Sequence, residues 1–498
     1  MESATSTADT RRAMAVGAGW MIAMRLFDRG LAVASTVVLA RLLSPEDYGI
    51  VAIAAGCTEF LYLLAAFGFD TALIQRADAN QRHYDTAWTL NILLAIAISV
   101  GILALAPFSA AYFHDDRLTA VLRALALNPI LIALTNIGIV KFRKELAFHR
   151  EAMFAACRRI SGFVLTLALA LWLRSYWALV LGQIGTAAIG CLLSYLMHPH
   201  RPRVDVSESK ALLSFSLWVQ LNTSIRFAST TVLDFVVARM AGAAAVGVYS
   251  ISGSLASLPT SELSAPINRA LLPGYAKFSN DDVKLKRTVL DVFGVLGVVA
   301  MPAGIGIAAT SSLLVPVVLG GEWLAAIPLV QMMAIANVLS VLQNNSYLIY
   351  MVKGRPRTTT WVSGSFALVQ LALVTLFLER FGVVGVAYGT LVSRLLIAPV
   401  ESALLTRTLG MRFREIAQAL WRPTLACAAM AAGLHELMTM LGQHEPHVGL
   451  LLAVVLAGAA VYVATLGALW LVAGRPEGGE RLILGMIKNY RRRESRDP

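Results

Sequence analysis

The sequence predicts an all-α polytopic membrane protein of about 14 transmembrane helices. Two of the observations behind this prediction concern composition, since 57% of the 498 residues are hydrophobic and only 14% are charged. The third is that apolar runs long enough to cross a hydrocarbon core of about 30 Å recur along the whole chain. This balance is far from that of a soluble globular protein.

The apolar runs are separated by short polar links, each of which predicts a turn at a membrane surface. All the links are short, and no outer one is long enough to build much of a catalytic site. The predicted spans lie at residues 14–40, 47–70, 86–113, 119–140, 153–173, 176–197, 211–239, 243–272, 289–319, 325–350, 358–378, 383–405, 423–441 and 447–473.

The distribution of Lys and Arg predicts the orientation of the spans, because cytoplasmic loops are enriched in both. With the N-terminus inside, 28 basic residues fall in the inner segments and five in the outer ones. We therefore expect both termini in the cytoplasm. The net charge of +12 comes from these dispersed loop residues, which form no basic patch with stacking aromatics, so nucleic acid is not an expected partner.

The four cysteines and eight histidines predict neither a metal site nor a cofactor site. The cysteines lie inside apolar runs without CxxC spacing, and we expect them to be small buried hydrophobic residues. His198 and His200 have no further ligands near them in sequence and are expected to be polar loop residues.

An internal repeat predicts two halves. A shift of 198 residues aligns Gly49 with Gly247 and Asp28 with Arg226, and it places the whole of the first span on the seventh. Duplicated bundles of this kind are typical of transporters. The predicted organisation is a six-helix N-terminal lobe (1–200), a six-helix C-terminal lobe (201–410), two additional transmembrane helices (411–475) and a basic cytoplasmic tail (476–498).

Four arginines lie near the middle of predicted spans, where insertion of each costs about 2.5 to 3.5 kcal/mol. That cost is avoided when the side chain faces an aqueous cavity or a partner. A guanidinium binds phosphate through two parallel hydrogen bonds and stays charged at any working pH. We therefore predict a cationic cavity that binds the anionic headgroup of an amphiphile through Arg25, Arg29, Arg226 and Arg394.

Other arginines lie nearer the ends of their spans, where long side chains can reach the headgroup layer. For Arg123, Arg158, Arg159 and Arg269 the sequence leaves open whether they reach the membrane surface or face the interior.

Acidic side chains in or near the spans have two interpretations. They either couple translocation to protons, sodium or membrane potential, or form structural ion pairs that lock helices together. Asp28 lies one turn from Arg25 and next to Arg29, and Asp234 lies two turns from Arg226. The acidic candidates are Asp28, Glu59, Asp234 and Glu262.

Two local motifs resemble the polysaccharide-exporting, Wzx-like branch of the multidrug/oligosaccharidyl-lipid/polysaccharide flippase superfamily. They are LARLLSPEDYG at residues 39–49 and FGFDTALIQ at residues 67–75. The resemblance implies a two-lobed helical bundle in the bacterial inner membrane that moves undecaprenyl-pyrophosphate-linked oligosaccharide to the periplasmic leaflet. It also implies that polysaccharide polymerase and export machinery are partners.

Two alternatives stay open. A cation-coupled multidrug exporter of the same superfamily is disfavoured because an arginine-rich cavity repels cationic substrates. A polytopic polysaccharide polymerase or glycosyltransferase needs catalytic groups on an extramembrane surface, and the sequence shows no such group of residues. We expect a transporter and not an enzyme.

Overall fold

The computed structural model describes residues 7–64, 69, 73, 80–145, 147–278, 281–353, 356–442, 445–476, 478–483 and 485. In this part of the chain the regular structure is helical, with 15 α-helices and two short 3₁₀ helices. Ten of the α-helices are long and apolar enough to cross a membrane, or eleven spans are present if one bent pair counts as a single span. The prediction of an all-α polytopic membrane protein is confirmed.

Contacts divide the chain into two compact units, Met1–Gly247 and Val248–Pro498. The predicted lobe boundary near residue 200 stays a prediction. The helices up to the second unit are α1 (Thr7–Leu42), α2 (Pro45–Leu64), α3 (Gln81–Phe113), α4 (Arg117–Leu125), α5 (Leu127–Ala133), α6 (Val140–Lys144), α7 (Phe148–Leu173), α8 (Trp177–Met197) and α9 (Ser209–Lys277).

The second unit contains the end of α9 and six further helices. In it α11 and α12 pack on α13, while α10 packs on α11, α14 and α15. These helices are α10 (Asp282–Val318), α11 (Ala326–Val352), α12 (Pro356–Phe381), α13 (Val383–Leu409), α14 (Phe413–Leu441) and α15 (Val448–Val472).

Two predicted spans differ in shape from the expectation. The fourth is not one helix, because residues 117–133 and 137–144 meet at a bend of 55°. The thirteenth begins at Phe413, ten residues earlier than predicted, because Glu415 caps the new N-terminus by accepting a hydrogen bond from the Arg412 amide. The predicted break between spans seven and eight is present at Gly242, whose φ of 78° lies outside the helical region.

The SPED sequence inside the first motif is a helix start. The hydroxyl of Ser44 accepts a hydrogen bond from the Asp47 amide at 3.2 Å, and the Asp47 carboxylate accepts one from the Ser44 amide at 3.0 Å. This reciprocal capping satisfies two backbone donors at the start of α2. The other oxygen of Asp47 accepts a hydrogen bond from the Tyr176 amide at 2.7 Å, which ties the α7–α8 link to the same corner.

The glycine that ends the SPEDYG sequence lies at a close crossing of two backbones. A Cβ atom on Gly49 would overlap the carbonyl oxygen of Ala243, and one on Gly247 would overlap that of Pro45. A shift of 198 residues carries Pro45 onto Ala243 and Gly49 onto Gly247. The contact is therefore made twice by equivalent positions of the predicted repeat, because each glycine packs on the carbonyl of the residue four positions before the other glycine.

We expect Gly49→Ala and Gly247→Ala each to destabilise the protein by about 1 to 3 kcal/mol, the usual cost of overpacking. Both overlaps are with backbone atoms, which cannot rotate away. The measurement is the thermal unfolding midpoint of the purified protein. The matched control is Gly364→Ala on α12, where nothing lies within 4 Å of the added carbon. Equal midpoints for Gly49→Ala and Gly364→Ala would show that the crossing tolerates a side chain.

The link between α8 and α9 is attached to the first unit. The backbone amide of Arg203 donates to Asp85 Oδ1 at 3.3 Å, and that of Asp205 donates to Thr89 Oγ1 at 3.0 Å. Asp85 and Thr89 lie one turn apart on α3. The side-chain amide of Asn136, which lies between α5 and α6, donates to the carbonyl oxygen of His200 at 2.7 Å. The start of this link is therefore bound to two different parts of the unit.

The two histidines of the link lie in the loop after α8 and are part of this attachment. His198 is half-buried and His200 is buried, with His200 Nε2 3.3 Å from Asp85 Oδ1. Burial, followed by the positive charge of Lys141, holds the pKa of both histidines below the ordinary value of 6.5. The folded state therefore favours the neutral imidazoles.

We expect the stability of the protein to be highest above about pH 6.5 and to fall as the pH drops from there towards the lowered pKa values of the folded state. In that interval the unfolded chain binds protons that the folded chain does not, at a cost of at most about 1.4 kcal/mol per pH unit for each histidine. Unfolding midpoints at about pH 7.5 and about pH 5.5 measure this effect. A His198→Asn/His200→Asn variant should lose much of the difference, and an unchanged difference would contradict the assignment.

Candidate functional site

The charged patch predicted on the first span meets a second helix in the first unit. Arg159 on α7 lies with its Nε atom 4.0 Å from Asp28 Oδ1 on α1, and the two side chains are 55% and 43% exposed. Arg29, the next residue on α1, is also exposed. The structure thus brings Asp28 and Arg159 together on an exposed surface of the unit.

The neighbouring Arg158 is held differently. Its aliphatic stem covers Gly190 on α8, where a Cβ atom would lie only 2.8 Å from Arg158 Cδ. Its guanidinium lies 5.8 Å from the ring centre of Phe154, one turn earlier on α7. The two consecutive arginines therefore contact different helices, and only Arg159 joins the patch on α1.

Two of the four predicted acids are brought together in the first unit. Glu59 on α2 and Asp234 on α9 are both exposed, and they lie close enough for their negative charges to interact. Phe235, next to Asp234, packs against Gly56, which shows how α2 and α9 are held side by side. Asp28 lies in the patch described above, and Glu262 lies half-buried on α9 within the second unit.

In the second unit, Arg394 on α13 is fixed by two neighbouring helices. Its Nη1 atom donates a hydrogen bond to Gln343 Oε1 on α11 at 3.0 Å. The guanidinium also lies 4.0 Å from the ring centre of Phe366 on α12, at cation–π distance. The mid-span arginine predicted from the sequence is therefore half-buried and held in one orientation.

A cavity of about 310 Å³ lies beside the Gln343 side chain that holds this arginine. Gln343 and Glu401 both line it, and Glu401 lies two turns after Arg394 on α13, close enough for the two charges to interact. Within the described part of the chain, Glu401 Oε2 is buried without a hydrogen-bond partner. Glu401 and Gln343 were not among the residues predicted from the sequence. The seven-residue spacing of Arg394 and Glu401 was a signal that could have pointed to Glu401.

The structure describes the side chains of two of the four arginines predicted to bind the headgroup. Arg29 and Arg394 are placed in different units, and Arg29 is exposed while Arg394 is half-buried. The side chains of Arg25 and Arg226 lie outside the described residues, as does that of Arg269. Among the described residues, no group of three or more His, Cys, Asp or Glu side chains is arranged to hold a metal ion.

Several proteins with similar sequences are named for a role in polysaccharide biosynthesis. The chain is 24% identical over 416 residues to the lipopolysaccharide biosynthesis protein WzxC of Escherichia coli, covering 82% of this chain and 84% of that protein. It is 24% identical over 460 residues to the succinoglycan biosynthesis transport protein ExoT of Rhizobium meliloti, covering 89% and 90%. It is 22% identical over 378 residues to the teichuronic acid biosynthesis protein TuaB of Bacillus subtilis, covering 75% and 78%.

Solved structures with similar folds are described as a flippase and as multidrug transporters. The lipid II flippase MurJ in an inward closed conformation matches with a TM-score of 0.71 at 12% identity, covering 92% of this chain and 99% of that one. An inward-facing multidrug resistance transporter of the MATE family and MOP superfamily matches with a TM-score of 0.55 at 16% identity, covering 76% and 94%. At these identities the similarity concerns the fold alone.

The family itself is identified by a sequence model. The model described as "Polysaccharide biosynthesis protein" matches residues 38–328, which is more than half of the 498 residues. The matched region begins just before the LARLLSPEDYG motif and includes the close crossing at Gly49 and Gly247. The resemblance inferred from the motifs is confirmed, and this multi-pass membrane protein belongs to the polysaccharide biosynthesis protein family.

Proposed function

We propose that the protein is a flippase that moves undecaprenyl-pyrophosphate-linked oligosaccharide units from the cytoplasmic to the periplasmic leaflet of the bacterial inner membrane. The observation that carries the proposal is Arg394, a guanidinium at membrane depth in a chain of this family, held by Gln343 and Phe366. A fixed guanidinium suits a pyrophosphate, because Arg offers donors in a planar array that matches phosphate oxygens. The names of ExoT and MurJ support transport of a glycan and flipping of a lipid.

In this proposal the arginines bind and the protein catalyses no bond-breaking step. Arg25, Arg29, Arg226 and Arg394 contact the pyrophosphate, and Arg159 is added to them because it lies 4.0 Å from Asp28, the residue before Arg29. Asp28 limits the positive charge of that patch. The lipid tail stays in the bilayer while the headgroup and sugars cross, both termini face the cytoplasm, and polymerase and export proteins receive the product.

The energy source in this proposal is an ion gradient acting on Glu59 and Asp234. Two carboxylates held close together repel each other, so a proton or sodium ion that binds beside either one relieves this repulsion. Glu59→Gln or Asp234→Asn should then remove the response of transport to an imposed pH gradient. Glu262 is the remaining candidate, and its replacement by Gln serves as the comparison.

A multidrug exporter shares the fold, as the TM-score of 0.55 with a multidrug transporter demonstrates. The two functions differ in the charge they require, because cationic drugs are repelled by unneutralised arginines. Deletion of the gene separates them in cells. The flippase proposal expects loss of surface polysaccharide with accumulation of its lipid-linked repeat unit. Normal polysaccharide together with increased sensitivity to lipophilic cations would support the exporter.

A further inference from the structure

We propose that Gln343 is a positioning residue that keeps Arg394 available for an anionic headgroup by preventing it from pairing with Glu401. This inference rests on the proposed function, since it assumes that Arg394 meets the pyrophosphate of the substrate. The residues that carry it lie on three helices of the second unit, namely Gln343 on α11, Phe366 on α12, and Arg394 and Glu401 on α13.

Gln343 holds Arg394 at two points. Its Oε1 accepts a hydrogen bond from Arg394 Nη1 at 3.0 Å, and its Nε2 donates one to the Arg394 backbone carbonyl at 3.2 Å. One side-chain amide therefore fixes both ends of the arginine, while Phe366 covers one face of the guanidinium at 4.0 Å. An arginine has five N–H donors, and the bond to Gln343 uses one of them. The remaining donors are left to bind phosphate oxygens.

Glu401 is the natural competitor for this guanidinium. It lies seven residues after Arg394, so both side chains leave the same face of α13. Their charges already interact, yet Glu401 Oε2 is buried without a hydrogen-bond partner among the described residues. The cavity that Gln343 and Glu401 line is walled mainly by apolar side chains such as Leu339 and Leu342. In such surroundings the attraction between opposite charges is stronger than in water.

The side chain at position 343 determines whether the positive charge of Arg394 is neutralised by a neighbouring group. A glutamate at position 343 would make the same hydrogen bond and cancel the positive charge. An apolar residue would make no bond and would release the guanidinium towards Glu401, with the same result. Glutamine is neutral and carries both a donor and an acceptor, so it holds Arg394 without neutralising it. We infer that the anion affinity of Arg394 depends on this amide.

The test compares binding of undecaprenyl pyrophosphate by the purified full-length protein and its variants, with undecaprenol as the uncharged probe. Gln343→Leu and Gln343→Glu should each weaken binding of the pyrophosphate about tenfold or more, with no change for undecaprenol. Adding Glu401→Gln to Gln343→Leu should restore most of the affinity, because the competing carboxylate is gone. A purely structural role of Gln343 gives no reason for that rescue.

The outcomes separate this inference from the proposed function. If Arg394→Met weakens binding and Gln343→Leu does not, the positioning role is overturned while the headgroup role of Arg394 stands. Failure of Glu401→Gln to rescue Gln343→Leu also overturns the positioning role. If Arg394→Met binds the pyrophosphate as well as the unchanged protein, the headgroup role itself is wrong. Gln343→Glu, which keeps a hydrogen bond to Arg394, guards against loss of binding through misfolding of Gln343→Leu.

Discussion

Replacing Arg394 by methionine is expected to slow flipping of the lipid-linked oligosaccharide by about 10- to 100-fold, which is the cost of one or two charge-assisted hydrogen bonds. Methionine keeps the length and apolar character of the stem but carries no charge. It can still pack on Phe366, so the contact between α12 and α13 is preserved. The measurement is the rate of flipping in vesicles at substrate concentrations below saturation, where weaker headgroup binding is fully visible.

The matched control is Arg380→Met at the end of α12, an exposed arginine outside the cavity. It removes the same charge from the same unit, so any general effect of lowering the net charge appears in both variants. Equal rates for Arg380→Met and Arg394→Met would contradict a headgroup role for Arg394. Arg29→Met should add to the loss, because the proposal gives each unit its own cationic contact.

The second large effect concerns a buried ion pair near the C-terminus. Arg422 on α14 lies with Nη1 3.3 Å from Glu480 Oε1, and the two side chains are only 5% and 8% exposed. Arg422→Met or Glu480→Gln should each destabilise the protein by about 3 to 5 kcal/mol, because a buried charge is left without its partner. The free energy of unfolding in detergent measures this loss.

The double variant Arg422→Met/Glu480→Leu provides the control for that prediction. Removing both charges removes both desolvation costs, and replacement of a buried pair by apolar residues of similar volume is often neutral or stabilising. We therefore expect the double variant to recover most of the stability lost in the single ones. Additive losses would show that the two side chains contribute through packing and not through their charges.

Much of the fold could be predicted because membrane crossing depends on local composition. Apolar length identifies the spans, and the break at Gly242 falls in the predicted interval between spans seven and eight. The bend in the fourth span was missed, since Asn136 interrupts it through hydrogen bonds to residues more than 50 positions away. No local pattern reports such a partner.

Part of the LARLLSPEDYG motif is a helix start, and this could have been recognised from the sequence. Ser44 and Asp47 have the spacing of a helix cap, and Pro45 occupies the first helical position that proline favours. The repeat alignment had already paired Gly49 with Gly247. That these two glycines form one close crossing could not be read from the chain, because it depends on how α2 packs against α9 within the first unit.

The candidate site was predicted only in part, because charge is visible in a sequence and its partner is not. Arg394 was found from its depth, whereas Gln343 is uncharged and lies 51 residues away on another helix. Asp28 was expected to balance Arg25 or Arg29, and the structure adds Arg159 from α7 as a further neighbour. Lateral contacts between helices depend on their rotation, which hydrophobicity alone does not determine.

The most direct test of the flippase proposal is a transport measurement with purified components. The protein is reconstituted in vesicles with fluorescent undecaprenyl-pyrophosphate-linked oligosaccharide, and a membrane-impermeant reagent reports how much of the glycan is exposed on the outer leaflet. We predict that vesicles with the protein expose glycan from both leaflets while protein-free vesicles expose one leaflet only. The Arg394→Met variant should slow this exposure. Equal exposure in vesicles with and without the protein would contradict a flippase.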